Sequence, residues 1–246
     1  MKKILSVFAL TFGMGGLSQG QTLFLDKVKI EYAKTVATWP LMKEIEPEWF
    51  EEQKEHMPKE TVSYFSFVSD GNRSVYRRTK EPDLPRGTWF TPFADNNIVY
   101  NDYHTGTSIS QKPVFEETFL ITDSLLKIRW KITPDTRVIA GFECRKAVGI
   151  LYDTVAVFAF YTDEIPISGG PEGINGLPGM ILGVGIPRLH TTWFATRVEA
   201  PEINAKTLSP ATKGKAVNRK TMLESLDRVM KDWSDWGRKM VLAFFV

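Results

Sequence analysis

The sequence predicts a mainly β (α+β) fold, a single curved antiparallel sheet or partly closed barrel with a C-terminal amphipathic helix packed across it. Three observations carry that expectation. Short segments with apolar and polar residues in alternation recur between clusters of Gly, Pro, Asn and Asp, the mark of strands and their turns. One segment, 154–162 with its VAVFAF run, is apolar on both faces and suits a central strand. Near the end, Met222, Leu226, Val229, Trp233, Trp236 and Met240 recur every three or four residues, the stripe of a helix lying on a core. With 246 residues, 43% hydrophobic and 24% charged, the composition is that of a globular chain. No internal repeat or second apolar core is evident, so residues 21–246 read as one domain behind a leader at 1–20.

Taken in order, residues 22–38 open with a strand, since Val28, Ile30 and Tyr32 alternate with polar neighbours. Pro47 begins a short helix and Pro58 ends it, because the fixed φ of proline suits a first turn and disfavours helix just before it. Trp49, Phe50, Gln53 and Met57 share one face of that helix. The segment 43–60 has seven acids against three lysines, the signature of a solvated outer side. Strands follow at 61–69 and 73–79, joined by an Asp70-Gly71 turn. Residues 80–113 read as an irregular loop exposing Trp89, Phe90, Phe93, Tyr100 and Tyr103, and strands resume at 114–122, 125–133, 137–152 and 154–162. Beyond a Gly/Pro-rich loop come strands at 180–186 and 190–200, the latter opening at His190. Residues 201–220, with five basic residues against Glu202 alone, suggest an exposed crossing loop. The helix then runs over 221–240, with Thr221 and Glu224 as a capping box.

The first twenty residues hold Lys2 and Lys3, the apolar run Ile4–Phe12, and small residues Ser18 and Gly20 before Gln21. Those are the three parts of a cleaved secretory signal peptide, and the run is shorter than the ~20 apolar residues a membrane span needs. Export to the periplasm or the extracellular space is therefore expected, with no membrane-spanning segment in the mature chain. The two leader lysines account for the whole net charge of +2. A neutral mature body has no overall electrostatic pull toward nucleic acid, and the single cysteine, Cys144, allows no intramolecular disulfide.

The densest local signal lies between 165 and 187. Pro166, Pro171, Pro178 and Pro187 are interspersed there with Gly169, Gly170, Gly173, Gly176, Gly179, Gly183 and Gly185, a mixture suited to tight and partly left-handed turns. The core GLPGMI at 176–181 resembles the motif of the GLPGLI family of exported Bacteroidetes proteins. Trp130–Ile132, Ile139–Ala147, Tyr161–Pro166 and Gly170-Pro171 resemble that family's pattern in the same order, with Met180 in place of leucine and Phe160 in place of tryptophan. The resemblance covers about residues 22–200 and is specific in its second half. It implies an exported protein of the cell envelope, a companion of an outer-membrane (TonB-dependent) transporter, and it brings no catalytic residues. The loop itself has two readings. It is a rigid connection in which Leu177, Met180 and Ile181 plug the core, or a nest of backbone N–H groups that binds an anion or peptide.

Chemistry is sparse. No GxSxG or GxxxxGK[ST] pattern is present. Cys144 shares strand parity with Phe142, Val148 and Ile150, which reads as a buried, inert thiol. His56, Met57, His104 and His190 are the candidate metal ligands, copper being the metal suited to His and Met together, but they lack the close spacing of a built site. The leading expectation is a non-enzymatic exported binding module without a cofactor. Its partner is an envelope protein, peptide or lipid, bound by Trp89, Phe90, Phe93, Tyr100 and Tyr103 with Gly176, Pro178 and Gly179 at the rim. A periplasmic copper-binding protein and an exported hydrolase are the alternatives.

Overall fold

The computed structural model describes residues 25–82, 84, 93–230 and 241–246, so the leader, Trp89, Phe90, Trp233, Trp236 and Met240 lie outside the described residues. Eleven strands form two antiparallel meanders. The first comprises β1 (Val28–Val36), β2 (Thr61–Ser69), β3 (Arg73–Lys80), β4 (Ile98–Asp102), β5 (Thr107–Val114) and β6 (Glu117–Ser124). The second comprises β7 (Lys131–Ile139), β8 (Phe142–Leu151), β9 (Val155–Thr162), β10 (Met180–Ile186) and β11 (Thr191–Glu199). Pairing of β1 with β11 fuses them, and β12 (Lys215–Val217) adds in parallel to β6. The result is one sheet in the order β12-β6-β5-β4-β3-β2-β1-β11-β10-β9-β8-β7, which does not close.

Connectivity dictates the curvature. Strands β6 and β7 stand ten strand-to-strand steps apart in the sheet, about 48 Å along its surface at ~4.8 Å per step. Residues 125–130 join them directly, and a chain of that length spans at most about 25 Å. The sheet must therefore curl until its two ends approach, which makes a deep trough. Its inner face holds the core, with Ile30, Tyr32, Phe65, Ala159, Met180, Val184 and Trp193 among its buried side chains.

Among the described residues three α-helices accompany the sheet. The first two, α1 (Thr38–Ile45) and α2 (Pro47–Gln53), share a small cluster in which Met42, Phe50 and Met57 are buried beside Trp39 and Trp49. The third, α3 (Arg219–Met230), buries Met222, Leu226 and Met230 in the main core. Residues 241–246 return into the trough, where Ala243, Phe244, Phe245 and Val246 are all buried.

Several local expectations are corrected. Residues 98–102 and 107–114 are strands β4 and β5, not irregular loop, and on β5 the pattern is hidden because its inward positions are mostly polar. On β5 the buried residues are Ser108, Ser110, Lys112 and Val114, so apolar alternation is absent where strand geometry is present. Segment 125–130 has no strand partner, and the strand expected there is displaced to 131–139. The basic stretch 201–220 contributes β12. Asn218 caps α3, its side-chain oxygen accepting from the Thr221 N–H at 2.8 Å, so Thr221 does not start a capping box. Val229 is 53% exposed, and Met230 takes the core position expected for it. His190 precedes its strand in a left-handed conformation with φ of 47°. Helix α1 has no counterpart in the expected elements.

Candidate functional site

The aromatic loop does not form one exposed surface. Tyr100 is buried with Val75 and Leu208. Tyr103 is half-buried, its hydroxyl 2.9 Å from that of Ser74. Phe93 packs edge-on against Phe244 with ring centroids 5.3 Å apart. Gly176 and Pro178 are exposed, whereas Gly179 is buried. Only Gly176 of the two glycines has a positive φ, 93°. Gly179 is required by close approach instead, since a Cβ there would sit 2.0 Å from the Thr162 carbonyl oxygen.

The glycine loop belongs largely to the core. Ile165, Ile167, Ile174 and Leu177 are buried together with Met180 and Ile181. The Trp130 indole N–H donates to the Asn175 carbonyl at 2.9 Å, and the Ile181 N–H donates to the Gly169 carbonyl at 2.9 Å.

Glu172 sits in this loop with φ of 53°, a strained value for a residue with a side chain. Its carboxylate is buried, accepting from Asn97 Nδ2 at 3.0 Å and Lys112 Nζ at 3.2 Å. Lys112 also donates to the Phe245 carbonyl at 2.7 Å. Burial pushes the Lys112 amine below the usual lysine range, against the opposing pull of Glu172. A second buried group joins Lys34 to the Phe93 carbonyl at 2.8 Å and Ser63 to Asp95 at 2.6 Å. Here burial raises the Asp95 carboxyl, while Lys34 acts in the opposite direction.

Neither buried lysine faces a ligand-sized space, although Asn97 and Arg78, the neighbours of Glu172 and Asp95, also line an open polar groove of about 340 Å³ at the outer ends of β3 and β4. The cavity beside Lys112, Glu172, Arg219 and Tyr152 holds about 20 Å³, and the one beside Lys34 and Val246 about 10 Å³. A single water needs ~10–15 Å³ and a small-molecule site ~300–1,000 Å³. The trough is filled by the chain's own side chains, Phe244 and Phe245 included.

The outer face of β8, β9 and β10 is different. Val148 lies directly opposite Phe158, Ile150 opposite Ala156, and Gly185 opposite Phe158. These positions point away from the core, and Val148 and Ile150 are 37% and 47% exposed. With Pro187 they floor a groove of about 470 Å³, and Arg129, Lys131 and Lys146 form its rim. Lys146 pairs with Asp135 at 3.3 Å. Arg129 and Lys131 meet no carboxylate within 4 Å among the described residues. The signal in the sequence was the apolar double parity of 147–151 beside that of 155–160. It reads as two-sided burial, whereas only one side is core.

The metal candidates do not converge. His56 and His104 are exposed, Met57 is buried in the α1–α2 cluster, and His190 Nε2 lies 2.9 Å from Glu44 Oε2. Among the described residues no three His, Cys, Asp or Glu side chains form a metal-holding group, and no imidazole is hydrogen-bonded to a hydroxyl or thiol. Cys144 is buried, its thiol pushed up to about 12 by burial and then by the negative charge of Glu164.

Residues 150–183, from the end of β8 through all of β9 and the glycine loop into β10, match a family described as a protein of unknown function, Porph_ging. No curated protein matches the sequence. Among solved structures, the chain is similar in fold to PNGF-II in two crystal forms. Identities are 15% and 14%, TM-scores 0.52 and 0.51, and 79% and 78% of this chain is covered. The chain spans 31% of the length of PNGF-II in each case. An uncharacterized conserved protein from Thermus thermophilus aligns at 7% identity with a TM-score of 0.40, over 81% of this chain and 93% of that one.

Proposed function

We propose that this chain is an exported, non-enzymatic binding module of the cell envelope that takes its ligand in the groove on the outer face of β8–β10. One contrast carries the reading. The trough is packed down to cavities of about 20 Å³, whereas among the described residues an apolar groove of about 470 Å³ stays open on the opposite face. Exposed apolar recesses of this size mark interaction sites more often than scattered surface residues do. The leader-like residues 1–20 support export. No described helix is long and apolar enough to cross a membrane. A role beside an outer-membrane transporter fits a module that presents an apolar face.

Nile red, a neutral dye that brightens in apolar surroundings, tests the reading. Wild-type protein should enhance its fluorescence, and Ile150→Glu should abolish the enhancement while leaving the melting temperature within a few degrees, because residue 150 faces outward. Equal enhancement by both proteins would move the binding site elsewhere.

A further inference from the structure

We infer that the groove binds a single-chain anionic amphiphile, an alkyl chain ending in a carboxylate or comparable acid; the inference rests on the proposed binding role and specifies its ligand. The floor supplies only hydrocarbon, through Val148, Ile150, Ala156, Phe158 and Pro187. It offers a bound molecule no side-chain donor or acceptor, so a polar or branched ligand would lose hydration without compensation. An unbranched alkyl chain fits that floor.

The rim decides the other end. Lys131 is directly opposite Val148 across the β7–β8 pair, and Lys146 is opposite Phe160 across β8–β9. Both side chains therefore leave the sheet on the groove's face. Arg129 enters from the segment that precedes β7. Among the described residues no acidic side chain lines the groove, and of the three cations only Lys146 has a carboxylate partner, Asp135. Two such cations beside an apolar recess attract an anion at the end of a hydrocarbon chain and disfavour a cationic one. The open rim leaves the acid partly solvated, so its contribution is modest and sensitive to salt.

The geometry favours one chain over a lipid bilayer. A bilayer presses against a convex apolar surface, whereas Phe158 here lies down over Gly185, where a Cβ would come within 2.0 Å of the ring. The flattened ring deepens the recess between Val148 and Pro187 instead of projecting from it.

Titration calorimetry with monomeric dodecanoate, dodecanol and dodecyltrimethylammonium tests the inference, using wild type, Arg129→Gln/Lys131→Gln and Ile150→Glu. Dodecanoate should bind wild type about tenfold tighter than dodecanol, ~1.4 kcal/mol, and the cationic detergent weakest. The double variant should bring dodecanoate to the level of dodecanol, and Ile150→Glu should remove all three. Equal binding of dodecanoate and dodecanol that is unchanged in the double variant, but lost in Ile150→Glu, would overturn the anion preference and leave the groove standing. Binding unaffected by Ile150→Glu, or absent throughout, would overturn both. A further arm uses vesicles of phosphatidylglycerol. Tight association with vesicles and none with monomeric dodecanoate would overturn the single-chain ligand in favour of a membrane surface.

Discussion

Phe158 lies across Gly185. The two residues face each other between β9 and β10, and a Cβ at position 185 would fall 2.0 Å from the ring's Cζ. The glycine is therefore not a turn residue. It is the space into which an aromatic side chain folds, as aromatic rings cover strand glycines elsewhere. Gly185→Ala should lift the ring, cost on the order of 1–3 kcal/mol as overpacking, and weaken Nile red binding. Adding Phe158→Ala should recover much of the stability, because the clash disappears with the ring. Urea denaturation of the two single variants and the double variant measures the coupling. Additive losses would show that the contact does not decide the geometry.

Gly176 and Gly179 should respond to different substitutions. At Gly176 the positive φ of 93° is the constraint, and the nearest atoms to a Cβ belong to Trp130 at 3.5 Å. Asparagine tolerates left-handed backbone better than valine, so Gly176→Asn should cost clearly less than Gly176→Val. At Gly179 the obstacle is the Thr162 backbone, which cannot move aside. Even Gly179→Ala should prevent stable folding, and asparagine should give no relief. Similar urea midpoints for the alanine and wild-type proteins at 179 would contradict this account.

The Lys112–Glu172 pair ties the glycine loop to β5, and Lys112 reaches on to the Phe245 carbonyl. Removing only Lys112, as in Lys112→Met, leaves a buried carboxylate without its cation and should cost ~3–5 kcal/mol. Lys112→Met/Glu172→Gln should lose less than Lys112→Met alone, since the carboxylate left without Lys112 is itself removed, while Lys34 keeps Asp95 as its partner. Chemical denaturation distinguishes the cases. A double variant less stable than Lys112→Met would show that Glu172 is stabilised by other partners.

Alkaline pH should unfold the protein through groups that the core keeps protonated. Burial raises Tyr152 to about 12 from 10.0, and Cys144 to about 12 from 9.0. Both folded values exceed the unfolded ones, so the associated stability is complete below pH 9 and is lost as pH rises toward 12. Stability in urea should fall across that window, and Tyr152→Phe should shift the alkaline midpoint upward. Thiol reagents should label Cys144 only along with unfolding. Labelling of the folded protein at neutral pH would contradict its burial.

Where a strand puts apolar residues on one face, its pattern was legible. The Asp70-Gly71 hairpin, β9 to β11 and the first two positions of the α3 stripe, Met222 and Leu226, read from spacing alone, whereas the strand expected over 137–152 is split by a turn at Ala140-Gly141 into the end of β7 and β8. Failures came where the inward residues are polar. Strand β5 places Ser108, Ser110 and Lys112 inside, and the partner of Lys112, Glu172, lies 60 residues away in sequence. No local pattern reports such a partner. The aromatic residues misled for the opposite reason, since Tyr100 and Phe93 look like surface anchors in a loop but are packed by Leu208 and Phe244 from distant parts of the chain. The groove is not legible in the sequence because Val148, Ile150, Ala156 and Phe158 are apolar, and apolarity on both faces reads as burial. Which face stays open depends on where the chain runs out of covering segments, and only the folded chain shows that.

The most direct test of the groove as the ligand site is paramagnetic relaxation in methyl NMR spectra, with a spin-labelled fatty acid as the probe. The account predicts broadening of the Val148, Ile150 and Ala156 methyl signals at substoichiometric ligand, while Ile165, Ile174 and Leu177 in the glycine loop stay sharp. Broadening centred on Val99, Ile121 and the other residues around the small interior cavity, with Val148 and Ile150 unaffected, would place the ligand in the trough and contradict it.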